Sequence, residues 1–497
     1  MIQGTSSDAG KSFLTTGLCR VFSDRGYKIC PFKSQNMSNN SCVTADGLEM
    51  GRAQAVQAEA ARLAPEVTMN PILLKPRRDT ASEIVLMGRV FNVPADKDYY
   101  RTFTMNEGLR TVREALSLIE SNFDAVLIEG AGSPAEINLN ATEIVNMRIA
   151  READVPVILV TDVDRGGSLA AIVGTLDLLG NDRDRVKGIV FNKFRGDISL
   201  FEPAIRWTEA RTGIKVVGVM PWSGNIRIAG EDSLSIDWRG KRQREDTLRI
   251  GVVRLPYISN HTDLEAFEFE SDVDLMEVDV HTSLHRLDAV ILPGTKSSVR
   301  DMQYLWESGM AERLIEFHKA GGFLFGVCGG YQMLGQRIDD AYLRENDVLH
   351  EIAGLGLLPV VTTFEEEKTT VQSHGAGIHS MLSGIAVEGY EIHFGTTLRV
   401  EEKGDEIKRT FRPLFVLNGR EDGMADPEFR VAGTYLHHIF HNDAFRTLWL
   451  NALRRSRAFP EKGIVDTTSV KEETYNALAR QVEEHLDVDF LLKLSGF

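Results

Sequence analysis

The chain has 497 residues, of which 43% are hydrophobic and 26% charged, and its formal net charge is −16 at pH 7. This composition lies near the globular average, so it excludes a disordered or low-complexity protein, and the length leaves room for two or three domains. The acidic total disfavours nucleic-acid binding, which usually needs a basic surface, but it still allows local basic pockets for anionic substrates.

The cysteines and the N-terminus indicate the compartment. Only four cysteines occur and none forms a CxxC pair, so a zinc knuckle or a dithiol motif is not predicted. Low cysteine usage fits a reducing cytoplasm. The first residues lack the basic start and apolar core of a signal peptide, and no apolar run is long enough to span a bilayer. We expect a cytoplasmic protein without membrane or nucleic-acid partners, and both a monomer and a homo-oligomer stay open.

The first half of the chain alternates short apolar runs with amphipathic stretches. The runs are rich in Val and Ile and nearly continuous, which is typical of strands buried on both faces of a parallel sheet. They cover residues 27–31, 124–129, 155–161, 187–191 and 214–219. The pattern predicts an α/β domain over residues 1–238, with a doubly wound, mainly parallel sheet.

The second half begins a new series of strands. The polar, aperiodic stretch 239–247 predicts an interdomain linker, with a long solvated loop as the alternative. A second α/β domain with a mixed sheet is expected over residues 248–450, followed by a helical extension over 451–497. Its apolar runs cover residues 248–254, 289–292, 322–327, 389–393 and 431–435.

A glycine-rich segment near the N-terminus predicts phosphate binding. Residues 4–12 resemble a Walker A loop with one extra residue, and they precede a helical pattern. Gly4, Thr5 and Gly10 would let the backbone fold closely around ATP, with its N–H groups pointing inward. Lys11 would reach the β- and γ-phosphates, and the hydroxyl of Ser12 would bind Mg²⁺. The alternative is an ordinary glycine-rich turn before a helix.

Two further strand ends carry polar residues. The long spacer of the loop and the Glu-Gly-Ala-Gly sequence at residues 129–132 resemble the dethiobiotin-synthetase-like branch of P-loop enzymes, which phosphorylate a carboxylate or carbamate. Glu129 ends an apolar run, where a carboxylate would meet Mg²⁺, unless it is a solvent-facing strand end. Asn192 and Lys193 end another run and resemble a pair that reads the ATP base, with a loop-capping Asn as the alternative.

Cys328 has the surroundings of a nucleophile. It follows the apolar run 323–325 and has glycines at 326, 329 and 330, which permit a sharp turn between a strand and a helix. Most free cysteines are buried small hydrophobic residues, but such a cysteine does not need this glycine pattern. His437, at the end of another apolar run, is the candidate base.

Together these residues resemble a class I glutamine amidotransferase domain, which releases ammonia from glutamine through a thioester. The resemblance implies an oxyanion hole formed by backbone N–H groups of the loop containing Gly294 and of Gly329. The family usually has Glu two residues after the catalytic His, whereas this chain has Ile439. It also has His438 where close relatives often have Gly, so the third triad member is not identified.

Over nearly its full length the chain resembles the cobyric acid synthase family. The matching segments are residues 31–38, 51–60, 69–76, 164–167, 192–197, 255–260 and 389–393. The resemblance implies ATP- and glutamine-dependent amidation of the b, d, e and g carboxylates of adenosylcobyrinic acid a,c-diamide, with Mg²⁺ as cofactor. Asp46 is a second possible Mg²⁺ ligand. Lys33, Arg52 and Lys75 would offset the negative charge of the corrinoid, with solvated surface charges as the alternative, and Gln35 and Asn36 would also bind the corrinoid.

Three alternatives stay open. Cobyrinic acid a,c-diamide synthase shares both domains but amidates two other carboxylates. A P-loop regulatory ATPase of the partitioning type would carry out no amidation, and a corrinoid carrier would not turn over.

Overall fold

The computed structural model describes residues 1–78, 81–91, 103–224, 226, 228, 247–343, 350–400 and 410–497. Apart from Thr247, the predicted linker 239–247 lies outside these residues. The chain forms two compact units: the described parts of 1–38, 48–228 and 469–497 make the first, and those of 39–47 and 247–468 make the second. The predicted division treats 451–497 as a separate extension, whereas the helix Asp443–Ser456 crosses residue 450 and the last 29 residues belong to the first unit.

The first unit is built on a parallel sheet. Four strands lie in the order β1-β10-β11-β12, β2 pairs with β9, and a parallel bridge between Ile2 and Glu129 links the two groups. These strands are β1 (Ile2–Gly4), β2 (Ile29–Phe32), β9 (Ala125–Ile128), β10 (Val157–Asp162), β11 (Val186–Phe194) and β12 (Lys215–Pro221). The α/β class predicted from the apolar runs is confirmed.

Helices cover this sheet. They are α1 (Lys11–Asp24), α2 (Arg52–Ala60), α3 (Leu109–Glu120), α4 (Met147–Glu152), α5 (Ser168–Leu178), α6 (Glu202–Thr212), α11 (Thr467–His485) and α12 (Val488–Leu494). Leu14 and Leu18 of α1 share one buried cluster with Leu478 and Val482 of α11. The apolar face of α11 therefore packs against the helix that follows the phosphate loop.

A smaller sheet, which the sequence did not predict, completes the first unit. Its strands β3 (Gln35–Met37), β6 (Ile72–Arg78), β7 (Ala81–Leu86) and β8 (Arg89–Phe91) pair in that order. The short strand β5 (Glu49–Gly51) leads into α2, and the segment 39–47, which contains β4 (Ser41–Val43), belongs to the second unit.

The second unit has a six-stranded sheet in the order β14-β13-β15-β16-β24-β23. Every pairing is parallel except that of β23 with β24. The strands are β13 (Leu248–Val253), β14 (Val273–Val278), β15 (Ala289–Leu292), β16 (Phe323–Val327), β23 (Met424–Ala425) and β24 (Val431–Thr434). Its helices are α7 (Ser298–Glu307), α8 (Met310–Lys319), α9 (Gly329–Leu334) and α10 (Asp443–Ser456).

A second, mostly antiparallel sheet carries a long hairpin. The hairpin strands β19 (Val360–Gly377) and β20 (Ala386–Arg399) pair antiparallel, and the remaining strands are β17 (Arg337–Asp339), β18 (Glu351–Ala353), β21 (Phe415–Leu417) and β22 (Arg420–Asp422). Among the described residues, no helix is long and apolar enough to cross a membrane.

Candidate active site

The phosphate loop lies between β1 and α1, as predicted. Gly10 has a φ of 96°, and a Cβ built on it would lie 1.9 Å from Nδ2 of Asn192, so only glycine fits this position. The same Nδ2 donates a hydrogen bond to the carbonyl of Ala9 at 2.9 Å. Asn192 therefore braces the loop from the end of β11, as the loop-capping alternative proposes.

Lys11 connects the loop to the turn after β9. Its Nζ donates to the carbonyl of Ser6 at 3.1 Å and to that of Gly132 at 3.0 Å, and its side chain is buried. At the start of the loop, the N–H of Thr5 donates to the carbonyl of Val160. These bonds hold a positive charge inside the loop, where a phosphate chain would supply its counter-charge.

Glu129 is fully buried and accepts three side-chain hydrogen bonds. Oε1 accepts from Ser12 Oγ at 2.8 Å and from Lys33 Nζ at 3.0 Å, and Oε2 accepts from Gln57 Nε2 at 2.5 Å. Burial alone would raise the pKa of Glu129, but the charge of Lys33 and these hydrogen bonds outweigh it and lower the pKa below its ordinary value. The carboxylate is therefore ionised and points at the Ser12 hydroxyl.

A second carboxylate, which sequence analysis missed, lies at the end of β10. Asp162 accepts from Lys193 Nζ at 2.9 Å and from the N–H of Asp164 at 2.8 Å. Burial would raise the pKa of Asp162, but the hydrogen bond and charge of Lys193 lower it. Lys193 also donates to the carbonyl of Asp8 at 2.5 Å, so it binds the loop as well as Asp162. The sequence feature that could have identified Asp162 is its position at the end of a predicted strand.

The residues expected to contact the corrinoid do not present free cations. Lys33 pairs with Glu129, Lys75 with the buried Glu49 at 2.5 Å, and Arg52 with Glu59 at 2.7 Å. Asn36 is also buried and donates to Gln54 Oε1 at 3.1 Å, and Gln35 is half-buried in β3. The structure thus places Lys33 in the phosphate-loop site and gives every cation of this set a carboxylate partner.

Asp46, the third expected Mg²⁺ ligand, does not belong to the same unit as Ser12 and Glu129. It belongs to the segment grouped with the second unit, is exposed, and accepts a hydrogen bond from Thr44 Oγ1 at 2.5 Å. Ser12 and Glu129, by contrast, are joined directly in the first unit. Within the described residues, no group of three or more His, Cys, Asp or Glu side chains could hold a metal ion.

Cys328 occupies the predicted sharp turn between β16 and α9. Its φ of 51° and ψ of −108° are strained for a residue with a side chain, as expected of a nucleophile elbow. Its N–H donates to the carbonyl of Thr434 at 2.8 Å, and its Sγ lies 3.6 Å from the carbonyl of Ile392. The backbone around the thiol is thus fixed by strands β24 and β20.

His437 and Asp263 complete the arrangement around this cysteine. His437 Nδ1 lies 2.7 Å from Asp263 Oδ2, and both side chains are buried. Oδ1 of Asp263 accepts the backbone N–H of His438 at 2.8 Å, which fixes the carboxylate. Asp263 therefore has the geometry of the missing third triad member, whereas Ile439, at the position usual for Glu, is a buried apolar residue.

The charge state of His437 follows from these neighbours. Burial alone would lower the pKa of His437, but the charges of Asp263 and Cys328 and the side-chain hydrogen bonds to both raise it to about 10. An imidazole in this state can keep a proton taken from the thiol, which stabilises the thiolate. Sequence analysis missed Asp263 because it precedes His437 by 174 residues. The available signal was the polar Asn-His-Thr-Asp run at residues 260–263, which begins at the last residue of the matched segment 255–260.

The two glycines expected at the oxyanion hole lie beside this group. A Cβ on Gly294 would lie 3.1 Å from His437 Cε1, and one on Gly329 would lie 2.5 Å from Thr295 Cγ2. The loop after β15 and the first residue of α9 therefore meet at the turn of Cys328. The structure brings together all four glutaminase residues predicted from the sequence.

Two family models match the chain, one in each half. The family described as the CobQ/CobB/MinD/ParA nucleotide binding domain matches residues 1–236, and the CobB/CobQ-like glutamine amidotransferase domain matches residues 249–445. A crystal structure of a glutamine amidotransferase aligns with 41% of this chain and 98% of its own at 17% identity, with a TM-score of 0.31.

Full-length relatives show the family. The cobyric acid synthase of Geobacillus kaustophilus is 43% identical over 98% of this chain and 96% of its own length. That of Dehalococcoides mccartyi (strain ATCC BAA-2266 / KCTC 15142 / 195) is 46% identical, again over 98% of this chain and 96% of its own. The chain therefore belongs to the cobyric acid synthase family, the glutamine-dependent amidating ligases of cobalamin biosynthesis.

Proposed function

We propose that the protein amidates the b, d, e and g carboxylates of adenosylcobyrinic acid a,c-diamide, using ATP and glutamine, to give adenosylcobyric acid. The observation that carries the proposal is the Cys328–His437–Asp263 group in a chain that also holds a braced phosphate loop with a buried, ionised Glu129. The names of the full-length relatives support the choice of substrate. Within the chain, residues 1–238 would act as the amidoligase and residues 248–450 as the glutaminase.

In the glutaminase step, His437 Nε2 takes the proton of Cys328 and the thiolate attacks the side-chain amide carbon of glutamine. His437 returns this proton to the leaving nitrogen, so ammonia departs and a thioester remains. Water then attacks the thioester with His437 as base, which releases glutamate and restores the thiol. Asp263 holds the imidazole and stabilises its charge, and the backbone N–H groups near Gly294 and Gly329 would stabilise the oxyanion.

In the ligase step, a corrinoid carboxylate oxygen attacks the γ-phosphorus of ATP and ADP leaves, which forms an acyl phosphate. Ammonia then attacks the acyl carbon and inorganic phosphate departs, which leaves the amide. Carboxylates do not react with ammonia directly at neutral pH, so this activation accounts for the ATP site. Lys11 would bind the transferring phosphoryl group, since its ammonium already lies inside the loop.

Ser12 and Glu129 fit a Mg²⁺ ion. Both supply hard oxygen donors, lie 2.8 Å apart, and follow the usual pattern of one or two carboxylates completed by phosphate oxygens and water. Bound Mg²⁺ supplies charge neutralisation along the phosphate chain. Asp162, at the next strand end, is a candidate second carboxylate. The proposal does not require Asp46, which the structure groups with the other unit.

The nearest competing function is that of cobyrinic acid a,c-diamide synthase. To decide, the protein is incubated with ATP, Mg²⁺ and glutamine and with either cobyrinic acid or its a,c-diamide. Ion-exchange chromatography then follows the loss of negative charge from the corrinoid. We expect conversion of the a,c-diamide to a product four charges less negative, with stoichiometric release of ADP and glutamate. Conversion of cobyrinic acid alone would contradict the proposal, and absence of any amidation would favour a regulatory ATPase or a carrier.

A further inference from the structure

The inserted segment, residues 39–47, leaves the first unit and packs within the second. It contains β4, which lies against the long hairpin strands β19 and β20. Gln372 of β19 donates a side-chain hydrogen bond to the carbonyl of Val43, and Gly47 approaches the carbonyl of Thr370. A piece of the N-terminal half of the chain is therefore part of the glutaminase unit.

Ser41 of this segment contacts two residues that touch His437. Its N–H donates to Asn260 Oδ1 at 3.0 Å, and its carbonyl accepts the hydroxyl of Tyr390 at 2.8 Å. The ring of Tyr390 stacks on the His437 imidazole with centroids 5.1 Å apart, and the Tyr390 carbonyl accepts the His437 N–H at 2.9 Å. All four residues are buried.

The bond from Ser41 decides which end of the Asn260 amide faces the catalytic imidazole. Because Oδ1 accepts the Ser41 N–H, the NH₂ group of Asn260 points at His437 Nε2, at 3.4 Å. An NH₂ group only donates, so it needs a lone pair on Nε2. Nδ1 is already committed to Asp263, so Nε2 is also the atom that must take the Cys328 proton. The amide and that proton therefore compete for one lone pair.

We infer that Asn260 is a positioning residue of the glutaminase site, and that the inserted segment, by holding its amide, restrains proton transfer from Cys328 to His437. Release of Ser41 would let the amide turn, so that Oδ1 accepts the Nε2 proton and stabilises the imidazolium. The titratable groups around His437 in the described chain are Asp263, Cys328, Tyr390 and His438. Of these, Asp263 and Cys328 favour the imidazolium, whereas the amide of Asn260 opposes it.

The biological role of this restraint rests on the proposed function. The segment begins three residues after Asn36 and ends five residues before Arg52, two residues that the sequence predicts to bind the corrinoid. Binding of the corrinoid at these flanks would pull on the segment and release Ser41. Ammonia would then be produced when an acceptor is present, which limits wasteful hydrolysis of glutamine.

Asn260→Gly tests this restraint. Asn260 has a φ of 51°, which glycine adopts without strain, so the change removes the amide and keeps the backbone. We expect glutamine hydrolysis without ATP and corrinoid to rise roughly three- to tenfold, the size of one neutral hydrogen bond. Stimulation by ATP and corrinoid should fall towards onefold, and ammonium-supported amidation should stay at the wild-type rate.

Two further variants separate positioning from a general effect on folding. Asn260→Asp keeps the Ser41 bond but presents a carboxylate oxygen to Nε2, so the alkaline limb of the glutaminase pH profile should move to higher pH. Tyr390→Phe keeps the ring stack and frees the Ser41 carbonyl, so basal hydrolysis should also rise. Gln303→Ala, an exposed change in the same unit, is the matched control.

Unchanged or lower basal hydrolysis in both Asn260→Gly and Tyr390→Phe, with an unshifted pH profile in Asn260→Asp, would overturn the inference and leave the proposed function intact. A wild-type protein that hydrolyses no glutamine, with or without ATP and corrinoid, would instead remove the proposed function and this inference together. The wild-type measurement thus distinguishes the two failures.

Discussion

The phosphate-loop site and the cysteine site both bury a carboxylate beside a cationic side chain, yet the two pairs behave differently. In the first unit, Glu129 lies 3.0 Å from Lys33, and its lowered pKa keeps the carboxylate ionised. In the second, Asp263 lies 2.7 Å from His437, whose pKa rises to about 10 while its ring can still exchange a proton with Cys328. The first pair is a fixed arrangement of charge, and the second belongs to the proton path proposed for the glutaminase step.

This difference matches the chemistry proposed for each unit. Phosphoryl transfer depends mainly on positioning and fixed charge, because little covalent chemistry falls to the protein. Thioester formation requires a proton to leave the thiol and reach the departing nitrogen. Changes in one unit should therefore alter one partial reaction, and the following substitutions test how far the two reactions are separate.

The largest effect is expected from Cys328→Ala. Without the nucleophile no thioester forms, so glutamine-supported amidation should fall by roughly a thousandfold or more. Amidation with ammonium chloride as nitrogen source should stay near the wild-type rate, because the ligase site is intact. ADP release under both nitrogen sources measures the two activities in one assay. Undiminished use of glutamine by this variant would exclude Cys328 as the nucleophile.

Lys11→Ala tests the phosphate-loop site in the first unit. It removes the ammonium that the loop holds by bonds to Ser6 and Gly132, so phosphoryl transfer should fall by roughly a hundredfold or more. Both glutamine- and ammonium-supported amidation should be lost, while glutamine hydrolysis measured as glutamate release should persist. Arg110→Ala, on an exposed helix face of the same unit, is a suitable control. Retained ammonium-supported amidation would count against the phosphate role of Lys11.

Asp263→Asn tests the proton path with a smaller effect. It keeps the size of the side chain but removes the charge that holds the pKa of His437 near 10, so this pKa should fall. The imidazolium would then lose its proton at lower pH, and the alkaline limb of the glutaminase profile should move to lower pH. We expect a loss of roughly tenfold to a hundredfold in kcat at neutral pH, with ligase activity on ammonium unchanged.

The conservative variant Asp263→Glu checks this interpretation. It restores the charge at a slightly longer reach, so it should recover part of the rate and return the alkaline limb towards that of the wild type. An unchanged pH profile in Asp263→Asn would contradict the triad role, even if the rate fell.

Local patterns were predictable from the sequence, and contacts between distant residues were not. The phosphate loop and the Cys328 turn each lie within a few residues, so the spacing of glycines next to an apolar run identifies them. Asp263 lies 174 residues before His437, and Lys33 lies 96 residues before Glu129. Such pairs are brought together by strand order, which a single sequence does not contain. The passage of residues 39–47 into the second unit is unpredictable for the same reason.

The smallest effect is expected at Asn192, and it tests whether this residue holds the phosphate loop in place. Its Nδ2 donates to the Ala9 carbonyl and contacts the position where Gly10 would carry a Cβ, so it braces the loop. Asn192→Ala should raise KM for ATP roughly three- to tenfold, the effect of losing one hydrogen bond, and leave glutamine hydrolysis unchanged. Steady-state kinetics with ATP and with GTP measure this effect.

The two nucleotides separate a brace from a base-reading residue. A brace supports phosphates that ATP and GTP share, so KM for both should rise by the same factor in Asn192→Ala. If Asn192 reads adenine, the enzyme would instead lose its preference for ATP, so that the ratio of kcat/KM for ATP over GTP would fall towards one.

A double variant that combines Asn192→Ala with Gly10→Ala gives a second measure of the brace. Removal of the Asn192 amide removes the 1.9 Å overlap with a Cβ at position 10, so that only the backbone strain at a φ of 96° remains. The added cost of Gly10→Ala should therefore be smaller in the Asn192→Ala background than in the wild type, and equal costs would contradict the brace.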